Sequence, residues 1–179
     1  NANNEKYDIA FLPHRMLGVD IRLTSSDNQL VEDLINEIVP RIKKYVYGYD
    51  NDKLEQVIAD LLIKNNLTVS TAESCTSGLL ASRLTDVPGS SRYFKGGSVC
   101  YSNELKINDI GIDKDLIERH GAVSEEVAKS LAKNIAQKNN TDLGIGITGI
   151  AGPDGGTEKK PVGLVFVGIF YKNNLYIKK

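Results

Sequence analysis

The chain has 179 residues, enough for one sizeable domain or two modest ones, and 41% of them are hydrophobic. Its 22 basic and 23 acidic residues leave a formal net charge of −1, which excludes the broad basic field of many nucleic-acid-binding proteins. The longest apolar run, GLVFVGIFY, is far shorter than the roughly 20 residues that a membrane helix needs. With two cysteines and no disulfide framework, the composition indicates a soluble cytoplasmic protein.

Residues 1–50 have the pattern of a small α+β module. Two runs, YDIAFL and VDIRL, have strand character, and Pro13 and Gly18 predict a turn between them. Apolar residues then recur at three- and four-residue spacing, which predicts a helix. Asp27 is its expected N-cap, and Pro40 is expected to kink or break it. The chain starts with NANNEKYDIA rather than Met, so we expect a cut inside a longer protein.

Residues 51–179 alternate between strand-like and helix-like segments. The pattern predicts strands at LTVST, GSVCYS and DLGIGIT and a final hairpin formed by GLVFVGIFY and NLYIK. Helices are predicted from about Leu54 to Leu62, in TSGLLASRL, in DLIERH and in SEEVAKSLAKNIAQK, where Ser124 is the expected N-cap. This alternation predicts a three-layer α/β/α domain with a mixed five-stranded sheet.

The segment TAESCTSG joins the first of these strands to a helix. Ligands of open α/β sheets bind at such loops, and the free amides of a helix start suit a nucleophile beside an oxyanion hole. The alternative, favoured by the local pattern alone, is ordinary N-capping by Ser74 or Thr76. No histidine lies in the candidate loops, so Cys75 is interpreted as a small buried residue rather than a nucleophile.

Three other segments are candidates for ligand contacts. In YSNELK, Tyr101 ends a predicted strand and Lys106 lies in the next turn or helix, unless the two are an aromatic at the sheet rim and a solvated lysine. The glycine-rich GITGIAGPDGG lets main-chain amides approach a phosphate or carboxylate, or is a wide turn. In PGSSR, two hydroxyls and a guanidinium suit phosphate, although a turn with a surface arginine has the same pattern. No spacing of His or Cys predicts a metal site.

In this order, TAESCTSG, GSSRYFKGGSVCYSNELK and GITGIAGPDGG closely resemble the C-terminal domain of the CinA family. That domain is the nicotinamide-nucleotide amidohydrolase also called PncC. The resemblance runs from about Leu54 to Lys172, and YDIAFLP, VDIRLT and YVYGYD resemble the KH-like linking domain of full-length CinA. It therefore implies a KH-like module in residues 1–50 and an amidohydrolase domain in 51–179 that lacks its last helix.

The resemblance implies that nicotinamide mononucleotide is hydrolysed to nicotinic acid mononucleotide and ammonia, a reaction of NAD metabolism. Ser74 is the implied nucleophile, and Tyr101 and Lys106 complete the site. The family usually reads AESCTGG, so Ser77 replaces a glycine and would be strained at a positive φ. The expected oxyanion and substrate contacts are Thr76, Ser77, Gly78, Ser90, Ser91, Arg92, Thr148, Gly149, Ala151 and Gly152.

Without histidine, the lysine must serve as the base, and its ordinary pKa of about 10.4 must be lowered by burial or a nearby cation. Tyr101 is the expected proton relay between Ser74 and Lys106. We expect a small nucleotide substrate, no cofactor, no membrane and a homo-oligomer, a dimer in the simplest case. The alternative is an inactive nucleotide-binding or regulatory fragment. RNA binding is not expected, because residues 1–53 contain no GXXG loop.

Overall fold

A computed structural model describes residues 2–4, 6–14 and 18–179, which form two compact units, Asn1–Val57 and Ile58–Lys179. The first unit contains the antiparallel sheet β1–β2–β3, followed by helix α1 and a 3₁₀ turn. The bounds are β1 Ala2–Asn4, β2 Tyr7–His14, β3 Gly18–Thr24, α1 Asn28–Ile42 and the turn Lys43–Tyr45.

The first unit confirms the predicted strands and corrects the roles of both prolines. Asp27 caps α1 as predicted, since its carboxylate accepts from the amides of Gln29 and Leu30. Pro13 lies inside β2 opposite Val19, so its assignment to the turn was wrong. Gly18 begins β3 opposite His14, and residues 15–17 between them lie outside the described residues. Helix α1 continues through Pro40 to Ile42, so Pro40 does not break it, and a 3₁₀ turn follows.

The second unit is the predicted α/β domain with a mixed sheet of five strands in the order β5-β4-β6-β7-β8. Strand β4 is parallel to both β5 and β6, whereas β7 and β8 are antiparallel additions. The hairpin turn is Lys172–Asn173, both at positive φ, as a two-residue turn requires. The strands are β4 Val69–Glu73, β5 Phe94–Val99, β6 Leu143–Gly149, β7 Val165–Tyr171 and β8 Asn174–Lys178.

Helices cover both faces of this sheet, as the three-layer prediction requires. One core cluster joins α2 and α3 to the sheet, and the other joins α5, α6 and the segment after α4. Ser124 caps α6 as predicted. The helices are α2 Leu54–Lys64, α3 Leu79–Thr85, α4 Asn103–Asn108, α5 Lys114–His120 and α6 Glu125–Asn139.

Helix α6 lies unusually close to the sheet. A Cβ atom added to Gly144, Gly146 or Gly168 would collide with the main-chain carbonyl of Ala132 or Ala128. The glycines of β6 and β7 therefore let the backbone of α6 rest on the strands, where larger residues would hold it away. This contact fixes the start of α6 at the sheet edge where β4, β5 and β6 all end.

Candidate active site

Ser74 follows β4 directly and begins a tight turn at the carboxyl edge of the sheet. Its amide donates to the carbonyl of Ile147 in β6 at 3.0 Å, and its own carbonyl accepts from the amide of Ser77 at 3.1 Å. Ser77 and Gly78 then both take positive φ, 50° and 91°. The positive φ that we considered at Ser77 is therefore present, and two left-handed residues turn the chain into α3.

Glu73 holds this turn in place, and the sequence pattern did not identify it. Its side chain is 1% exposed, and its two oxygens accept from the amides of Leu80 and Ala81 at 3.0 and 2.8 Å. These amides belong to the first turn of α3, whose N-cap Gly78 has no side chain. The expected capping by Ser74 or Thr76 was wrong, because a strand residue caps the helix and leaves the Ser74 hydroxyl available.

Lys106 is buried against Ser74. It lies in α4, whose N-cap is Ser102, and its side chain is 2% exposed. Its Nζ lies 3.0 Å from Ser74 Oγ and 2.9 Å from each of the carbonyl oxygens of Cys100 and Tyr101. Within the described part of the chain, no carboxylate forms an ion pair with it. The interpretation of Lys106 as a solvated lysine is therefore wrong.

This environment lowers the pKa of Lys106. Burial is the main cause, because it disfavours the ammonium form, and the neighbouring Cys100 and Cys75 act in the opposite direction. The pKa of the Cys75 thiol is raised, chiefly by burial, so this thiol is held in its protonated, weakly nucleophilic form. The two shifts favour a neutral amine beside a serine hydroxyl and disfavour a thiolate.

Tyr101 contributes to this site through its main chain. Its side chain is 68% exposed, whereas its carbonyl accepts from Lys106. Strand β5 ends at Val99, so Tyr101 lies beyond the strand that was predicted to contain it. Because Ser74 Oγ and Lys106 Nζ are in direct contact, the pair needs no tyrosine as a proton relay.

The third loop meets the serine turn at its start. A Cβ atom on Gly149 would lie 3.0 Å from Cys75 Sγ, so these two segments of the chain are in van der Waals contact there. Thr148, which was expected to contact phosphate, is 1% exposed and donates its hydroxyl to the carbonyl of Ala122 at 2.8 Å. The Thr148 hydroxyl is therefore occupied by a structural hydrogen bond. The amide of Ile150 is also occupied, by the carbonyl of Leu164.

Comparison with known proteins identifies the family of this chain. Residues 51–179 match the family model described as the CinA C-terminal domain. The chain belongs to the CinA family. It is 47% identical over 151 residues to a CinA-like protein of Dictyoglomus thermophilum and 50% identical over 143 residues to a putative competence-damage inducible protein of Halothermothrix orenii. These alignments cover 84% and 78% of this chain but only 37% and 35% of the relatives, so the chain spans about a third of their length.

Solved structures show the same fold. The competence/damage inducible protein CihA from Agrobacterium tumefaciens has a TM-score of 0.69 and 36% identity, over 74% of this chain and 81% of that chain. The CinA superfamily protein ECK1530/EC0983 from Escherichia coli has a TM-score of 0.67 and 33% identity, over 78% of this chain and 83% of its own.

The predicted contacts of the CinA domain fall into two groups, one at the amino edge of the sheet and the other at the carboxyl edge near Ser74. The main chain places Tyr93 beside Val69 at the start of β4, so Arg92 lies at the amino edge of the sheet. Four residue steps of β4, roughly 13 Å, separate that edge from Glu73, which precedes the turn that begins at Ser74. Arg92 lines a shallow groove with residues of the α2–β4 connection, and Ser90 and Ser91 lie beside it in a 3₁₀ turn. The structure does not bring these three residues to Ser74.

The predicted oxyanion donors are partly occupied. The amide of Ser77 is bonded to Ser74, and the amide of Thr76 faces the Cys75 thiol, which leaves the amide of Gly78 as the available donor of this turn. The Thr76 hydroxyl is buried and has no hydrogen-bond partner among the described residues. The described residues contain no cluster of three potential metal ligands and no helix long and apolar enough to cross a membrane.

Proposed function

We propose that this CinA domain hydrolyses the carboxamide of nicotinamide mononucleotide, with Ser74 as nucleophile and Lys106 as its base. The buried contact of 3.0 Å between Ser74 Oγ and Lys106 Nζ carries the proposal. The resemblance of the three loops to the nicotinamide-nucleotide amidohydrolases supplies the substrate. Ser–Lys pairs are a known variant of the serine hydrolase site.

The hydrogen bonds of Lys106 fit the neutral amine that a base must be. A neutral amine has two N–H groups and one lone pair. The carbonyls of Cys100 and Tyr101 can accept the two N–H groups, which directs the lone pair toward the Ser74 hydroxyl. Burial without a carboxylate partner favours this uncharged form.

The reaction then follows from the positions of these groups. Lys106 takes the hydroxyl proton as Ser74 Oγ attacks the amide carbon, and the oxyanion forms near the amide of Gly78. The Lys106 ammonium gives its proton to the amide nitrogen, the C–N bond breaks, ammonia departs, and an acyl ester remains on Ser74. Water hydrolyses this ester with Lys106 again as base, and nicotinic acid mononucleotide is released.

Ammonia release from nicotinamide mononucleotide tests the proposal, with nicotinic acid mononucleotide measured as the second product. Ser74→Ala and Lys106→Arg are expected to reduce the rate by at least about a thousandfold, since a nucleophile or its base is lost. Cys75→Ala is the matched control and is expected to retain most activity. An active Ser74→Ala together with an inactive Cys75→Ala would show that the thiol is the nucleophile.

A nucleotide-binding module without catalysis is the second candidate. The positive φ of Ser77 favours it, because strain in the nucleophile turn can misplace the Ser74 hydroxyl. In that case calorimetry would detect binding of the mononucleotide, whereas no ammonia would form even at high protein concentration. Measurable turnover by the unsubstituted chain would exclude this candidate.

A further inference from the structure

The loop of residues 150–164 begins and ends beside the nucleophile turn. It connects Gly149 to Val165, which are paired across β6 and β7. Gly149 packs against Cys75, the residue after Ser74. A movement of this loop therefore changes the surroundings of the Ser74 hydroxyl.

The loop is ordered by its own contacts. At its base the amide of Ile150 donates to Leu164, and the amide of Gly163 donates to Ile150, at 2.9 and 2.8 Å. Near its tip the amide of Lys160 donates to the Thr157 hydroxyl at 3.0 Å. These bonds shape the loop but do not attach its tip to the body of the domain.

The Lys160 side chain makes that attachment. Its Nζ donates to the carbonyls of His120 and Val123, both at 2.7 Å, in the turn between α5 and α6. The His120 carbonyl belongs to the C-terminal end of α5, where a cation is favoured by the helix dipole. The same turn is also fixed from the strand side, through the hydrogen bond from Thr148 to Ala122.

We propose that Lys160 is a positioning residue of the active site, which holds the 150–164 loop against the α5–α6 turn. Its action on catalysis rests on the proposed function, in which the held loop carries Ala151 and Gly152, two of the expected substrate contacts. Without the two hydrogen bonds, the loop tip separates from the turn, while the Ser74–Lys106 contact stays intact. Substrate binding should therefore weaken more than the chemical step.

Lys160→Met tests this inference, because methionine keeps most of the length of the lysine side chain and removes its hydrogen-bond donors. Lys159→Met is the matched control, since Lys159 is an exposed neighbour in the same loop. We expect KM for nicotinamide mononucleotide to rise about tenfold or more in Lys160→Met, because two charge-assisted hydrogen bonds are lost. The kcat value should change by less than about threefold, since a loss of uniform binding raises KM alone.

Hydrogen–deuterium exchange provides a readout that does not depend on turnover. Peptides covering 149–164 and 118–124 should exchange faster in Lys160→Met than in Lys159→Met or the unsubstituted chain. Lys160→Arg, which can still donate to both carbonyls, should restore most of the protection and of the KM. Equal exchange in Lys160→Met and Lys159→Met would overturn the attachment, and equal losses of kcat and kcat/KM would overturn the positioning role. If the unsubstituted chain releases no ammonia, the proposed function fails, while the exchange difference still decides whether Lys160 holds the loop.

Discussion

The Glu73 carboxylate accepts a hydrogen bond from the amide of Ala81 at 2.8 Å, so the last residue of β4 caps the helix that follows it. We predict that Glu73→Ala lowers the free energy of unfolding by about 2–3 kcal/mol, because two amides at the start of α3 lose their acceptor. The stability of Glu73→Gln should lie between those of Glu73→Ala and the unsubstituted chain, since an amide group keeps one oxygen acceptor. Urea denaturation measures the difference, and the exposed loop substitution Glu158→Ala should be neutral.

The lowered pKa of Lys106 predicts that activity rises with pH. Only the neutral amine can accept the Ser74 proton, so kcat/KM should increase as Lys106 deprotonates, with an inflection below the ordinary lysine pKa of about 10.4. Lys159→Met should show the same profile as the unsubstituted chain. The base role would be wrong if Lys106→Arg, whose guanidinium stays charged, retained the activity.

The same shift predicts how stability depends on pH. Because the folded state lowers the pKa of Lys106, the unfolded chain binds more protons between that lowered value and the ordinary one, and stability rises with pH across this interval. Lys106→Met has no such group and should lack this part of the rise. Unfolding free energies measured at several pH values test it, with the exposed Lys133→Met as control. Parallel curves for Lys106→Met and the unsubstituted chain would contradict the prediction.

Ser77→Gly is expected to stabilise the domain. A left-handed backbone costs a non-glycine residue about 1 kcal/mol. Glycine removes this strain, but its greater conformational entropy in the unfolded chain offsets part of the benefit. We therefore expect the free energy of unfolding to rise by about 0.5–1 kcal/mol. Ser77→Ala keeps the Cβ atom and should bring no gain. Thermal denaturation of the two variants distinguishes the cause, since a gain in both would point away from backbone strain.

Arg92→Ala is expected to leave catalysis nearly unchanged. Arg92 lies at the amino edge of the sheet, across the length of β4 from Ser74. The ratio of kcat/KM for nicotinamide mononucleotide to that for the riboside should therefore stay within about twofold of the ratio for the unsubstituted chain. A change of this size is smaller than the loss of a single hydrogen bond would cause. A collapse of this ratio would return Arg92 to the phosphate site.

Much of the fold could be predicted because its signals are local. The spacing of apolar residues predicted most strands and helices. Ser124 and Asp27 were identified because serine and aspartate are preferred at helix N-caps. Local patterns do not show which residues meet across the sheet. Arg92 and Lys106 both lie near strand β5 in sequence, yet one is before the strand and the other after it. They therefore lie at opposite edges, and only the parallel pairing of β4 with β5 decides which one reaches Ser74.

Glu73 shows a second limit. A glutamate at the end of a buried strand has the pattern of a residue that points to solvent, and charged residues are seldom fully buried. Its burial depends on the path of the chain after Ser74, where Ser77 and Gly78 bring α3 back over the strand. Two amides then meet the carboxylate seven and eight residues along the chain. No fixed spacing of capping motifs describes this contact.

The contact between α6 and the glycines of β6 and β7 also sets how the domain can tolerate change. With Gly146 directly under Ala128, no rotatable side chain lies between helix and strand to absorb an added methyl group. A larger residue there must displace α6 as a rigid body, together with the turn at its start that holds Lys160 and Thr148. Substitutions deep in this layer are thus expected to disturb the Ser74 edge of the sheet as well as the stability of the domain. In a mutational survey, these glycines would resemble active-site positions although they lie in the packed layer between helix and sheet.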